Sequence, residues 1–430
     1  MVYTRELPQS CFSARYHGFQ FGGKRFCGEV PAPIALFMLC PFVHRLFHVG
    51  CAHRIAAISS PHRLMSHPVY LADFSLAVVN RTGAYYVCKD VIDHLPEFFP
   101  AIRYWRSFFK DTPPQNLSLK VKSRLMMAEI SMLRGSGVFK WPVPAPYKSL
   151  PTLFFDPLYV LRSELHRDDI VMCHDVGPIS HPELFDRHIG SLYREAYEKI
   201  KSIRPGMVFV SQASKTAFED FFGADFRFKE VIRLFTREGA VDGTTQSVPG
   251  ISKPFILSVG ALETRKNYER VIEAFQQSNL HDDGVSYVIC GPRGFGHDQI
   301  TRAAEHTPGV HLLGRVSDEQ LRWLYNHAEG FVLPSLLEGF GVPAIEASHK
   351  GLVSIVSAGT AQEEAIGSNG LCIDPLDVGE ITDAMRQVVT MPPSDKEEMS
   401  KRAAAFARSW TARDYRQAWR NLLETNGPRA

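Results

Sequence analysis

Short apolar runs alternate with amphipathic stretches throughout the second half of the chain. In the amphipathic stretches, apolar residues recur three and four positions apart, which is the period of a helix with one buried face. The apolar runs have the length and composition of strands that are buried on both faces of a sheet. They lie at residues 255–259, 286–290, 331–333, 352–356 and 371–374. The alternation predicts an α/β fold with a parallel, doubly wound sheet.

Polar residues at the start of several amphipathic stretches indicate helix caps. Asn267 precedes one such stretch, and Ser317 with Gln320 has the spacing of a capping box. In the first half of the chain, Ser211 together with Ser214 can cap a further helix. These residues predict where three of the helices begin.

The first half of the chain has fewer clear elements. Residues 74–80 form an apolar run that ends shortly before Gly83, and residues 169–173 form another that ends before His174. A first strand followed by a glycine turn is typical of α/β domains in which phosphate approaches the backbone. Residues 84–165 alternate helical and extended patterns, with a proline-rich interruption at 141–146, and these patterns do not assign them to particular elements. We predict a second α/β domain in this half.

Residues 1–70 differ from the rest of the chain. Their one long apolar run, residues 32–52, is interrupted by His44, Arg45 and His48. Those polar residues argue against a transmembrane helix, and no small-residue cleavage site indicates a signal peptide. Two interpretations remain: a poorly ordered extension, or an interfacial segment in peripheral contact with a membrane.

A stretch rich in Gly, Thr, Ser and Pro at residues 237–253 predicts a linker between two domains, residues 71–236 and 254–408. The remaining residues, 409–430, predict a C-terminal helix that packs on the folded chain, because their aromatic surface is too large to leave exposed. The residues at helical spacing in this segment are Tyr415, Ala418, Trp419 and Leu422.

Composition narrows the class of protein. The 430 residues are 45% hydrophobic and 22% charged, which are globular values and exclude wholesale disorder. A net charge of +2 gives no reason to expect a nucleic-acid partner. The eight cysteines show no metal-ligand spacing, and several lie inside apolar runs, so we expect reduced thiols and a cytoplasmic protein.

The residues that carry candidate chemistry follow strands of the second predicted domain. Glu338 lies in a glycine-containing loop after residues 331–333, and Glu346 lies about two helical turns later. Carboxylates accept hydrogen bonds from vicinal hydroxyl groups, so the pair suits a sugar or a ribose. Arg265 and Lys266 follow the strand at 255–259 and suit a ligand with two phosphates. The alternative for each residue is a solvated surface position.

The string from Glu338 to Glu346 reads E-G-F-G-V-P-A-I-E. It resembles the E-x7-E signature of glycosyltransferase family 4, a family of retaining enzymes with the GT-B fold. Residues around Arg265 and Lys266 are similar to the phosphate clamp of that family, although Ala261 stands where many members carry an arginine. The His174-Asp175 pair also resembles that family, whose members commonly carry a histidine followed by an acidic residue at this place.

The resemblance implies two Rossmann-like domains that face a central cleft, with the C-terminal helix crossing back to the first domain. It implies transfer of a hexose from a nucleoside-diphosphate sugar to a glycan or lipid-linked acceptor in surface polysaccharide biosynthesis, as in mannosyltransferases, without a cofactor.

In that picture Glu338, His174, Arg265 and Lys266 are catalytic, and Glu346 binds the ribose. The other residues expected to bind substrate are Gly83, Phe340, Gly341, Val342 and Val316.

Two further expectations and the alternative functions complete this interpretation. The chain contains no Asp-x-Asp motif, which favours a reaction without a metal ion. Glu346 and Lys266 should lie in a solvated cleft rather than in a core. The alternatives are a sugar-nucleotide epimerase or phosphorylase of the same fold, or a non-catalytic subunit that binds sugar nucleotides.

Overall fold

The computed structural model describes residues 67–79, 83–105, 107–111, 119–132 and 143–427, together with two short strands nearer the N-terminus. The chain divides into two units, residues 1–64 and 65–430. In the first unit, β1 (Gln20–Phe21) and β2 (Lys24–Arg25) pair antiparallel. The prediction of an extension or interfacial segment at 1–70 otherwise lies outside the described residues. None of the described helices is both long and apolar enough to cross a membrane.

The second unit contains a first sheet of seven strands in the order β5-β4-β3-β6-β7-β8-β9, in which only β5 runs antiparallel to its neighbour. Most of its strands are buried along their length, because helices cover both faces. The strands are β3 (Leu71–Asp73), β4 (Ala101–Tyr104), β5 (Ser107–Phe109), β6 (Thr152–Phe154), β7 (Ile170–Cys173), β8 (Gly206–Phe209) and β9 (Phe228–Val231).

Seven described α-helices accompany the first sheet and the segment that follows it. They are α1 (Leu76–Val79), α2 (Gly83–His94), α3 (Leu119–Met132), α4 (Gly177–Ser180), α5 (Arg187–Ile203), α6 (Gln212–Phe222) and α7 (Glu238–Val241). Short 3-10 helices span Pro96–Phe98, Ala145–Tyr147, Pro157–Arg162 and Pro182–Leu184.

The second sheet has six strands, all parallel, in the order β12-β11-β10-β13-β14-β15. The predicted doubly wound parallel sheet is thereby confirmed. Its strands are β10 (Phe255–Val259), β11 (Ser286–Cys290), β12 (Val310–Gly314), β13 (Gly330–Leu333), β14 (Ser354–Ser357) and β15 (Leu371–Ile373).

Eight α-helices belong to this half of the unit. They are α8 (Tyr268–Ser278), α9 (His297–Glu305), α10 (Asp318–His327), α11 (Val342–His349), α12 (Ala361–Ile366), α13 (Val378–Thr390), α14 (Pro393–Arg408) and α15 (Ala412–Thr425). A 3-10 helix spans Thr264–Lys266.

Strand order determines where a ligand can enter the second sheet. The chain builds β10, β11 and β12 toward one edge and then returns to place β13 against the other side of β10. The loops after β10 and β13 therefore diverge in opposite directions, which opens a crevice at the carboxyl ends of these two strands.

The last helix, α15, packs against the first sheet and its helices. Tyr415 donates a hydrogen bond of 3.1 Å to the carbonyl of Val87 in α2, and Trp419 is fully buried beside Phe155. Arg416 pairs with the carboxylate of Asp90, at 2.6 Å. The end of the chain thus completes the hydrophobic core under the first sheet.

Two sequence-based predictions of local structure are wrong. The strand expected at 74–80 lies earlier in the chain and is β3, which ends at Asp73. The carboxylate of Asp73 accepts a hydrogen bond of 3.0 Å from the N–H of Ser75, and this bond turns the chain into α1. Gly83 accordingly begins helix α2 instead of forming a turn directly after the strand.

Asn267 precedes α8 but does not cap it with its side chain. Its backbone is left-handed, with φ of 63°, and its amide donates hydrogen bonds to the carbonyls of Pro334 and Pro375. By contrast, the side chain of Ser211 caps α6, and the capping box of Ser317 and Gln320 is present at α10.

Candidate functional site

The loops after β10 and β13 are joined by their backbones. The N–H of Leu336 donates a hydrogen bond of 2.8 Å to the carbonyl of Arg265. This bond holds the loop at 334–341, which we call the signature loop, against the 3-10 helix Thr264–Lys266. Residues about 70 positions apart in sequence are therefore neighbours at the carboxyl edge of the second sheet.

Glu338 lies between the two predicted phosphate ligands. The ammonium group of Lys266 pairs with Oε1, and Nη1 of Arg265 lies 3.3 Å from Oε2. Ser335 donates a further hydrogen bond of 3.2 Å to Oε1. Arg265 also pairs with Glu263, with 2.7 Å between Nε and Oε2. Two acids and two cations thus form a cluster with no net charge, which we call the edge cluster.

The edge cluster is buried, although the sequence led us to expect a solvated cleft. Only 7% of the Lys266 side chain and 9% of the Glu338 side chain are exposed. Burial by itself raises the pKa of Glu338, but the charges of Lys266 and Arg265 outweigh it and hold the pKa below its usual value. Glu338 is therefore ionised at neutral pH, and the mutual pairing is what allows these charges to be buried.

Glu346, in the second turn of α11, is held by residues that the sequence did not point to. Nε of Arg237 lies 3.0 Å from Oε1, and the hydroxyl of Tyr325 donates to Oε2 at 3.1 Å. The carboxylate is 2% exposed, so the expectation of a solvated position is wrong for this residue too. Burial raises the pKa of Glu346 above its usual value, and Arg237 and Tyr325 oppose that shift.

Residues that follow β7 and residues at the start of α6 join the first sheet to the signature loop. The hydroxyl of Ser211 donates to the carbonyl of Gly339 at 2.7 Å, and that of Ser214 lies 3.0 Å from the carbonyls of both Gly339 and His174. A side chain at Gly339 would place its Cβ 2.2 Å from the His174 carbonyl oxygen, so this close approach requires glycine.

The ring of His174 is oriented by the first sheet. Its Nε2 lies 3.0 Å from the carbonyl oxygen of Phe155. Because a carbonyl only accepts hydrogen bonds, Nε2 carries a proton here. No hydrogen bond joins Nδ1 to another described residue.

The start of α11 offers free backbone donors. Within the described parts of the chain, the N–H groups of Phe340, Gly341 and Val342 make no hydrogen bond. Gly341 has φ of 102°, a conformation that favours glycine. A Cβ added to Gly83 would lie 3.8 Å from the side chain of Val342, so helices α2 and α11 begin close to each other. These N–H groups, at the positive end of a helix, suit an anion.

Val316 lies apart from the edge cluster in the sheet order. It follows β12, which β11 and β10 separate from β13, and it packs on the second hydrophobic core. The structure therefore brings Glu338, Arg265, Lys266, His174 and Gly339 together and leaves Val316 on a neighbouring loop.

Sequence reasoning missed Arg237, which it assigned to a linker, and the contact of Ser211 and Ser214 with the signature loop. No signal in the linear pattern indicates either contact, because each joins residues more than 100 positions apart. Among the residues that the structure describes, no three His, Cys, Asp or Glu side chains come close enough to hold a metal ion.

Comparison with known proteins places these residues in context. Residues 246–409 match the family model described as Glycosyl transferases group 1. The O-antigen chain mannosyltransferase B of Escherichia coli is 31% identical over an alignment of 184 residues that covers 37% of this chain and 48% of that protein. The serotype-specific mannosyltransferase WbdA of Escherichia coli is 26% identical over an alignment of 239 residues that covers 51% of this chain and 29% of that protein. The chain thus spans less than half the length of these two relatives.

Solved structures resemble the chain in fold. Anabaena HepE in complex with UDP and glucose superimposes with a TM-score of 0.57 over 83% of this chain and 99% of that chain, at 18% identity. The likeness confirms the predicted GT-B architecture of two Rossmann-like sheets.

Proposed function

We propose, from the match of residues 246–409 to the family model described as Glycosyl transferases group 1, that this chain is a retaining glycosyltransferase that uses a nucleoside-diphosphate sugar. The observation that carries the proposal is the edge cluster. Arg265 and Lys266 lie beside Glu338 at the crevice of the second sheet, next to the free N–H groups at the start of α11.

The donor's diphosphate would lie between these cations and the free N–H groups of Phe340, Gly341 and Val342. Because Glu338 and Glu263 already neutralise the two cations, the backbone donors must supply much of the favourable field for the phosphates. As the sugar leaves, negative charge grows on the diphosphate, and these groups stabilise it without a metal ion.

The sugar and the ribose would be recognised by the two acids of the signature. Glu338 accepts hydrogen bonds from sugar hydroxyls, and Glu346 accepts them from the ribose. His174 approaches the sugar from the first sheet, where Gly83 also closes the site. Base selection would involve the loop at Val316.

The acceptor is a hydroxyl group of a glycan or of a lipid-linked saccharide, bound on the side of the first sheet. Both relatives described above are named as mannosyltransferases. We therefore propose mannose as the first donor sugar to test, and surface polysaccharide synthesis as the pathway class.

The proposal is tested by incubating the full chain with UDP-, GDP- and dTDP-hexoses, with and without saccharide acceptors, and by identifying the products by mass spectrometry. We expect one donor to release its nucleoside diphosphate and to extend an acceptor by one hexose, and Glu338→Gln to abolish that product. An isomerised donor formed without acceptor would instead support an epimerase. A sugar phosphate formed from inorganic phosphate would support a phosphorylase, and donor binding without any product would support a non-catalytic subunit.

A further inference from the structure

Arg237 reaches Glu346 from the segment between the two sheets. It follows β9, and its Nε lies 3.0 Å from Oε1 of Glu346 in α11. Its guanidinium also lies over the ring of Tyr86 in α2, with 4.9 Å to the ring centroid. One side chain therefore connects the start of the segment, a helix of the first sheet and the carboxylate that we assign to the ribose.

The contacts of Glu346 leave some of its hydrogen-bond acceptor positions unused. Arg237 donates to Oε1 and Tyr325 donates to Oε2, so each oxygen has one protein partner. A carboxylate has about four acceptor positions in all. One position on each oxygen therefore remains for the two hydroxyl groups of a ribose, and the two protein donors fix the direction in which those positions point.

The charges around Glu346 depend on this arginine. Arg237 is the cation within ion-pair distance of the carboxylate in the described part of the chain. Asp318 and Cys290 face the same region, and the negative charge of Asp318 disfavours ionisation of Glu346. Tyr325 contributes a hydrogen bond but no positive charge. Without Arg237, a carboxylate that is 2% exposed would have no cation within ion-pair distance in the described part of the chain.

We propose that Arg237 is a positioning residue for ribose recognition: it compensates the buried charge of Glu346 and fixes the orientation in which this carboxylate receives the 2′ and 3′ hydroxyl groups of the nucleotide. This inference rests on the proposed function. It adds a residue from outside the signature to the donor site, and it makes ribose recognition depend on the packing of the connecting segment against Tyr86.

The pH dependence of ribose recognition follows from this role. When Arg237 is replaced by methionine, the pKa of Glu346, which burial already raises, loses the cation that opposes the shift and rises further. The carboxyl group then takes up a proton as pH falls, and a neutral carboxyl group loses its charge-assisted bonds to the ribose. Binding should therefore weaken at low pH and recover in part at high pH.

The experiment is a calorimetric titration of UDP, GDP, their 2′-deoxy analogues and dTDP into wild type, Arg237→Met and Arg237→Lys between pH 6 and 8.5. For the nucleotide that wild type binds, we expect the ribose form to bind tighter than the deoxy form by about tenfold or more. In Arg237→Met this discrimination should disappear at pH 6 and return in part at pH 8.5. Arg237→Lys keeps the positive charge and should retain most of the discrimination between the ribose and deoxy forms.

The matched control is Arg386→Met, which removes an arginine that donates to the Ser278 carbonyl of α8 instead of to Glu346. It should discriminate as wild type does. If wild type binds a nucleoside diphosphate and Arg237→Met discriminates equally well at pH 6, the role of Arg237 is overturned while the proposed function stands. If wild type binds none of UDP, GDP and dTDP, both are overturned.

Discussion

At the scale of single residues, the edge cluster is defined by mutual neutralisation. Lys266 and Glu338 are buried together, and Arg265 bridges Glu338 and Glu263. Each charge is tolerable there because the others are present, since an uncompensated ion in a poorly solvated site costs several kcal/mol. The cluster therefore couples chemistry to stability: a substitution that removes a phosphate ligand also leaves a buried acid with fewer partners.

Lys266→Met should lower both stability and turnover. Loss of the ammonium group leaves Glu338 with Arg265 and Ser335, and we expect the free energy of unfolding to fall by about 3 kcal/mol. Loss of positive charge near the leaving diphosphate should lower kcat roughly 100-fold. Urea unfolding and steady-state kinetics measure the two effects.

The matched control is Lys266→Met combined with Glu338→Gln, which removes both charges together. It should recover much of the lost stability but none of the activity. A single variant as stable as wild type would contradict the description of a coupled buried pair.

The residue scale also marks the limit of sequence-based prediction for the site. Glu338, Arg265 and Lys266 could be brought together from sequence because each follows a strand of one predicted sheet, and strand ends of a parallel sheet share an edge. Arg237 could not, because its partner lies 109 positions away and belongs to a different sheet. The sequence analysis also missed the burial of Glu338 and Glu346, because the spacing of residues along the chain does not show which side chains pair with one another.

At the scale of elements, the start of α6 connects the two sheets. Glu364 of α12 accepts hydrogen bonds from the N–H groups of Gln212 and Ala213, at 2.8 and 3.3 Å. Its other oxygen lies 3.2 Å from Nε of Arg233. Ser211 and Ser214, at the same helix end, contact the Gly339 carbonyl in the signature loop. The first N–H groups of a helix need acceptors from outside the helix, and at α6 the half of the molecule that contains the second sheet supplies part of them.

Ser214→Ala should impair catalysis more than donor binding. The substitution removes the hydroxyl that lies between the carbonyls of His174 and Gly339. We expect a loss of stability of about 1–3 kcal/mol from the unpaired buried carbonyl, and a fall in kcat of roughly tenfold with little change in donor KM. Kinetics with the true donor test this.

Ser202→Ala is the matched control, because among the described residues that exposed hydroxyl bonds only to the carbonyl of Lys199 in its own helix. A fall in kcat of the same size in both serine variants would argue against a role for Ser214 in positioning the loop.

Elements were predictable from sequence where strands are buried along their length. Five of the six strands of the second sheet appear as apolar runs because helices cover both faces. Six of their ten predicted boundaries coincide with the structure, and the other four differ by one or two residues. In the first sheet β3, β5 and β6 have three residues each, which is too short for a period to emerge. The turn at Asp73 depends on a local side-chain hydrogen bond, which apolar periodicity does not report.

At the scale of the whole molecule, the chain returns to its first sheet at the end. Trp419 and Leu423 of α15 are fully buried, and Tyr415 and Arg416 bond to residues of α2. The first core is therefore incomplete until the last helix has been added. Folding of the first sheet and docking of the C-terminal helix should consequently form one cooperative transition.

Trp419→Ala should destabilise the protein by about 3–5 kcal/mol, because it empties a large, fully buried site beside Phe155. Arg413→Ala changes an exposed residue of the same helix and should alter the free energy of unfolding by less than about 0.5 kcal/mol. Urea unfolding of both variants measures the difference. Equal stability of the two variants would mean that α15 does not belong to the first core.

The central claim is that a donor diphosphate binds at the signature loop, against the N–H groups of Phe340, Gly341 and Val342. Hydrogen exchange with peptide-level mass spectrometry tests it directly, because these groups make no hydrogen bond to any residue that the structure describes. We predict that residues 334–342 exchange faster than the rest of α11 in the free chain and become protected when the donor nucleotide is added. Protection elsewhere in the chain, with unchanged exchange at 334–342, would contradict the claim.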